Sequence, residues 1–211
     1  MAITDYGTLK TAVGSYLNRS DLTSYIPDFI RLGERRLFYG SDSPTATVPV
    51  RVPAMQERDT GSISGQSIAF PTGFLEIIRL RISTGTNYWT ADYAPPNRFT
   101  ELEMSSDYPT HYTFLDNAIK IAESGAADYV LDYYKAFTSL TSDSDTNWLL
   151  TNAPDAYLFA ALLESAPFLG DMDMYVPWAG MYKSIISSLN RTTNKPPGGS
   201  MFVRPSGSLM P

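Results

Sequence analysis

The segment Pro154-Asp-Ala-Tyr-Leu-Phe-Ala-Ala-Leu-Leu-Glu-Ser-Ala166 decides the fold. Proline in a first helical turn gives up an N–H that would have no partner there anyway, and Asp155 suits the positive end of a helix. The residues that follow are strong helix formers and are apolar on nearly every side. A helix that is apolar all round must be enclosed by other elements. The segment therefore predicts a central, buried helix, and the rest of the chain has to supply its neighbours.

Three other stretches have the right period to do so. Tyr6, Leu9, Val13, Tyr16 and Leu17 recur at three- and four-residue steps behind Asp5, a ready N-cap. After Ser24 a second helix carries Ile26, Phe29, Ile30, Gly33 and Leu37, with Arg31, Glu34, Arg35 and Arg36 read as mostly facing away. Pro27 falls in its first turn and Gly40 offers a stop. Beyond the central segment, Tyr175, Trp178, Ala179, Tyr182, Ile185, Ile186 and Leu189 form a third stripe, with Pro177 near its first turn or at a kink.

Between residues 41 and 137 the period changes. The runs Ser67–Phe70, Phe74–Ile82, Thr86–Tyr93, His111–Leu115, Ala118–Ala122 and Tyr129–Ala136 are β-rich and separated by Gly, Pro and Asn. Phe74–Ile82 ends by alternating apolar and charged residues, as a half-buried strand does. Asp116-Asn117 reads as a two-residue hairpin turn, and 97–104 as a short helix. Residues 191–211 hold seven Pro and Gly and form no element of their own. The expected fold class is α+β. A helical core comes from both chain ends (residues 1–40 and 138–190), with an inserted β-rich subdomain at 41–137 and an extended tail at 191–211.

Composition narrows the function. A 43% hydrophobic share in 211 residues supports a sizeable core. Cysteine is absent, so there is no thiolate nucleophile, disulfide or thiolate metal site. No apolar run approaches a membrane span, and Met1–Lys10 lacks the layout of a signal peptide, so a soluble protein of a cytoplasm is expected. The net charge of −6 argues against general nucleic-acid binding. Arg191, Lys195 and Arg204 lie in a tail without acids, which leaves −9 on the first 190 residues.

Chemical constellations fail one after another. His111 is the only histidine, so zinc sites with several N or S ligands are out and the residue reads as polar edge decoration. Asp143-Ser-Asp-Thr-Asn147 opens like a calcium loop, but Trp148 and Pro154 stand where that loop needs Gly and a carboxylate; a capping linker is the better reading. Asp171-Met-Asp173 reads as a helix start. Gly61-Ser-Ile-Ser-Gly65 has Ile63 where a nucleophile elbow has serine. No catalytic residue, cofactor or metal is expected.

The phrases Thr4-Asp-Tyr-Gly-Thr-Leu-Lys-Thr-Ala-Val-Gly-Ser-Tyr-Leu-Asn-Arg19 and Ile26-Pro-Asp-Phe-Ile-Arg-Leu-Gly-Glu-Arg-Arg-Leu37 resemble the start of tailed-phage head-to-tail adaptor (connector) proteins. Phe70–Glu76, Leu131–Lys135, Thr146–Leu150 and Pro154–Leu169 follow in that family's order. The resemblance implies a structural virion protein in the neck, assembled in the host cytoplasm. It implies a ring, usually twelvefold, between the portal and the tail, through which DNA passes without specific binding; no cofactor or catalysis is involved. Expected interface residues are Arg31 and Arg35 on the second helix and Met201, Phe202, Val203 and Arg204 in the tail. The alternatives are another tail or head-completion protein, or a carbohydrate-binding module using Tyr88, Trp89, Tyr93 and Tyr108. A polysaccharide hydrolase comes last.

Overall fold

Asp5 opens the first helix, α1 (Tyr6–Leu17), as its short acidic side chain suggests. Its carboxylate accepts from the Thr8 N–H at 2.8 Å, and the Thr8 hydroxyl returns the favour to the Asp5 N–H. This reciprocal box satisfies two of the orphan donors at a helix start. A second helix, α2 (Ile26–Tyr39), begins on Pro27 and stops at Gly40, whose φ of 75° is open to glycine without strain. The computed structural model describes residues 2–41, 47–63, 65–83, 87–103, 110–122 and 128–193.

The strands are β1 (Gln56–Ser62), β2 (Ser67–Ala69), β3 (Phe74–Ser83), β4 (Tyr88–Tyr93), β5 (His111–Leu115), β6 (Ala118–Ile121) and β7 (Asp128–Lys135), with helix α3 (Pro96–Glu103) after β4. Among the described residues they form one curled sheet in the order β1-β7-β3-β4-β5-β6-β2. Every pairing is antiparallel except β4 with β5. Asp116 and Asn117 both take positive φ in the β5–β6 hairpin, as a tight turn matching the strand twist demands. Alternate residues point inward, and Ile68, Leu80, Ile82, Ile119, Ile121 and Leu131 close a core of the sheet's own.

The chain then returns to helix in α4 (Trp148–Asn152), α5 (Pro154–Leu169) and α6 (Met172–Thr193). α5 lies at the centre of the helical layer, with α1, α2, α4 and α6 packed around it. Ala156, Ala160, Ala161, Leu162 and Ala166 are wholly buried. Gly33 of α2 lets the two backbones approach, since a Cβ there would stand 3.0 Å from the backbone of Ala160 and Ala161. The architecture is α+β, as expected, with the helices of both chain ends sharing one core.

Four readings change. Glu34 does not face away; it is only 6% exposed. Tyr16 leaves the buried stripe of α1 and lies 58% exposed, its ring edge-on to Phe159. The polar strand β1 has no counterpart among the sequence-predicted runs. α6 continues through Arg191 to Thr193, and Pro177 sits inside it.

Candidate interaction surfaces

A spacing of seven residues is two helical turns, so Tyr25, just before α2, and Leu32 and Tyr39 within it fall on one side. That side is outward: the three are 46%, 48% and 67% exposed. Arg31 and Arg35 stand beside Leu32 and are also exposed. Among the described residues neither makes an ion pair, whereas neighbouring Arg36 is engaged with Glu164 of α5 at 2.5 Å. The stripe extends onto α5 through Phe168, whose ring meets Tyr25 at 5.0 Å and Phe29 at 5.3 Å. A groove of about 410 Å³ runs along it, bounded by Leu32, Arg35, Tyr39 and Glu164. An apolar stripe flanked by uncommitted guanidinium groups is chemically suited to a protein partner, because arginine and tyrosine recur in interface cores.

The first half of α6 exposes apolar side chains on two opposite flanks, Met172 and Val176 on one and Met174 and Met181 on the other. Met172, Met174, Val176 and Met181 are all at least 41% exposed. Methionine's flexible thioether adapts to irregular partner surfaces.

A third surface opens where the sheet divides. β4 covers β3 only from Leu80 to Ser83, while β7 accompanies β3 along its length. Residues 74–79 therefore have no strand on the β4 side among the described residues. Opposite this gap stands a run of rings. Phe70 stacks on Phe74 at 4.8 Å, Phe114 touches both, and Tyr93 and Tyr112 each lie 5.8 Å from Phe114. The cleft holds about 500 Å³. Burial first, and then the fields of Asp92, Tyr93 and Glu76, push the Tyr112 hydroxyl above its ordinary range.

The acids and the histidine singled out in the sequence take structural places. The Asp145 and Asp143 carbonyls accept from the Tyr6 and Gly7 N–H groups at 2.9 Å, closing the start of α1. The Asp145 carboxylate accepts from the Ser142 and Thr141 N–H groups, which hold it below the usual carboxylate range. Asn147 caps α4 through Leu150, and Asp171 accepts from Met174 N–H as α6 begins. His111 starts β5 half-buried, its Nδ1 2.9 Å from the Thr110 hydroxyl; β5 is an interior strand, so the residue is not at a sheet edge. Among the described residues no group of three or more His, Cys, Asp or Glu could hold a metal ion. Strand alternation sends Tyr88 to the face opposite Trp89 and Tyr93, and Tyr108 lies outside the described residues. Tyr88 instead lies beneath Arg81.

The SU10 adaptor protein family matches residues 4–201. The chain belongs to that family. The adaptor is thus a bacteriophage structural protein and a virion component. No curated protein matches it closely. No described helix of the adaptor is long and apolar enough to cross a membrane.

Of the expected interface residues, Arg31 and Arg35 share one exposed face, while Met201, Phe202, Val203 and Arg204 lie outside the described residues. Sequence reasoning missed the Tyr25–Leu32–Tyr39 stripe, although the seven-residue interval was there to be read. It also missed the aromatic cleft, whose rings come from β4, β5 and the 70–74 turn and share no sequence period.

Proposed function

We propose that this adaptor assembles as a twelvefold ring between portal and tail and lines the passage through which the genome moves. The observation that carries the reading is the family match over nearly the whole chain. The surfaces support it. A ring subunit needs two different patches, one for each neighbour, because a contact that repeats head to tail closes into a cycle. The α2 stripe, with Arg31 and Arg35, and the Met172 and Val176 flank of α6 are two such patches of unlike composition. The net charge of −6 per subunit repels phosphate, which suits a conduit that must let DNA slide. Residues 194–211 act as an extended arm that reaches a neighbouring virion protein, with Met201, Phe202 and Val203 as apolar anchors and Arg204 as the charged one. The ring sits in the neck of the virion and is built in the host cytoplasm. Its subunits divide as the sequence divides, a helical body from 1–40 and 138–190 carrying the 41–137 insert.

Cryo-EM of the adaptor mixed with the portal of its phage tests this. Twelve copies on the portal are expected, and light scattering of the dilute adaptor alone should find mostly monomer. A hexamer, a trimer or a failure to engage portal would instead favour another tail or head-completion role.

A further inference from the structure

The cleft beside β3 combines two needs. Its rings are exposed to water, with Tyr93 at 53% and Phe114 at 40%, and the flank of residues 74–79 lacks a ladder partner among the described residues. An extended strand with an apolar side chain at its middle satisfies both at once, through main-chain hydrogen bonds and a ring-lined pocket. The chain contains such a segment. Ser200-Met-Phe-Val-Arg204 is bounded by Gly198-Gly199 and Pro205, the punctuation of a short strand.

The exit of the last helix places this segment within reach. Near the end of α6, the Asn190 side chain accepts from the Arg51 N–H at 2.9 Å, and Arg51 Nε donates to Glu76 at 3.0 Å. Glu76 is itself a wall of the cleft. The chain therefore leaves α6 two side chains away from the gap. From Asn194 to Phe202 extended chain covers up to roughly 30 Å, more than this separation requires. Charge agrees as well: Glu76 is an acidic wall of the cleft, and beyond Thr193 the chain carries Lys195 and Arg204 and no acid.

Building on the arm reading above, we propose that in the free subunit Ser200–Arg204 adds as a strand to the uncovered flank of β3 in its own chain, with Phe202 seated among Phe74, Tyr93 and Phe114. The arm is stored on the sheet until a neighbouring protein takes it.

Hydrogen exchange on the full chain, at dilutions where light scattering gives monomer, tests the proposal. The variants are Val203→Pro, which removes a ladder N–H, and Phe202→Asp, which removes the anchor. Those amides of residues 75–79 that face away from β7 should exchange about tenfold faster in both variants than in the unmodified chain. Equal exchange in all three overturns the proposal, and so does protection that grows with protein concentration, which would mean a strand supplied by another copy. Particle assembly separates this from the arm reading. Unchanged exchange with failed assembly in Val203→Pro sinks the storage site and keeps the arm; faster exchange with normal assembly keeps the storage site and sinks the arm.

Discussion

Glu34 accepts the Leu140 N–H at 3.1 Å and the Tyr157 hydroxyl at 3.4 Å, tying α2 to the strand-to-helix connection and to α5. Its burial in turn raises its carboxyl above the ordinary carboxylate range, and the hydrogen bonds and the Arg31 field offset that only in part. A carboxyl with a raised folded-state pKa contributes its stability fully below the unfolded value and loses it as pH climbs through the folded value. Glu34→Gln keeps an acceptor for Leu140 and has no charge to desolvate. Its melting temperature relative to the unmodified chain should therefore be higher at pH 7 than at pH 4; a pH-independent difference would contradict the burial argument. Glu34→Leu leaves the Leu140 N–H unsatisfied and should cost about 1–3 kcal/mol in denaturant titrations. The position was legible in the sequence even though the side chain was misread. Residue 34 follows Ile30 by four and precedes Leu37 by three, which puts it on the buried side; only its charge argued otherwise.

Helices were the readable elements because caps and stripes are local. Asp5, Pro27, Gly40 and Pro154 each mark a boundary through their own backbone chemistry. β1 escaped for the opposite reason. Gln56–Ser62 has no apolar residue to alternate, and it is held as an edge strand by polar bonds to β7. Lys135 donates to Glu57, the Tyr129 hydroxyl donates to Asp59, and Arg58 meets Asp132, which Arg79 also grips. None of these partners is near in sequence. The contact of α2 with α5 gives a sharp test at this scale. Gly33→Ala should raise helix propensity by about 1 kcal/mol, yet the new methyl meets a helix backbone that cannot yield. A net loss of about 1–3 kcal/mol is expected, and a more stable variant would mean that the helices separate easily. Leu162→Ala, inside the same contact region, should cost about 2–5 kcal/mol by thermal or chemical melts.

For the whole molecule, surface and core should respond differently. Arg31→Glu with Arg35→Glu touches exposed side chains, so stability should stay within about 0.5 kcal/mol, while binding to portal-containing particles should fall in a pull-down assay. Normal particle yield from this variant would remove the α2 stripe from the assembly surface. The sequence could show that α2 has an outward side, but not that Phe168 and Glu164, some 130 positions on, complete it. That same separation has a consequence in time. Ribosomes extend a chain at about 5–20 residues per second, so α2 waits on the order of ten seconds for the α5 residues it packs against. Meanwhile the strands, whose pairings lie entirely within the intervening segment, can close among themselves. The order of synthesis thus leaves the first two helices with bare apolar sides beside a finished sheet. A released chain truncated after residue 145 should hold a protease-resistant core from the β region and remain cleavable in residues 6–39.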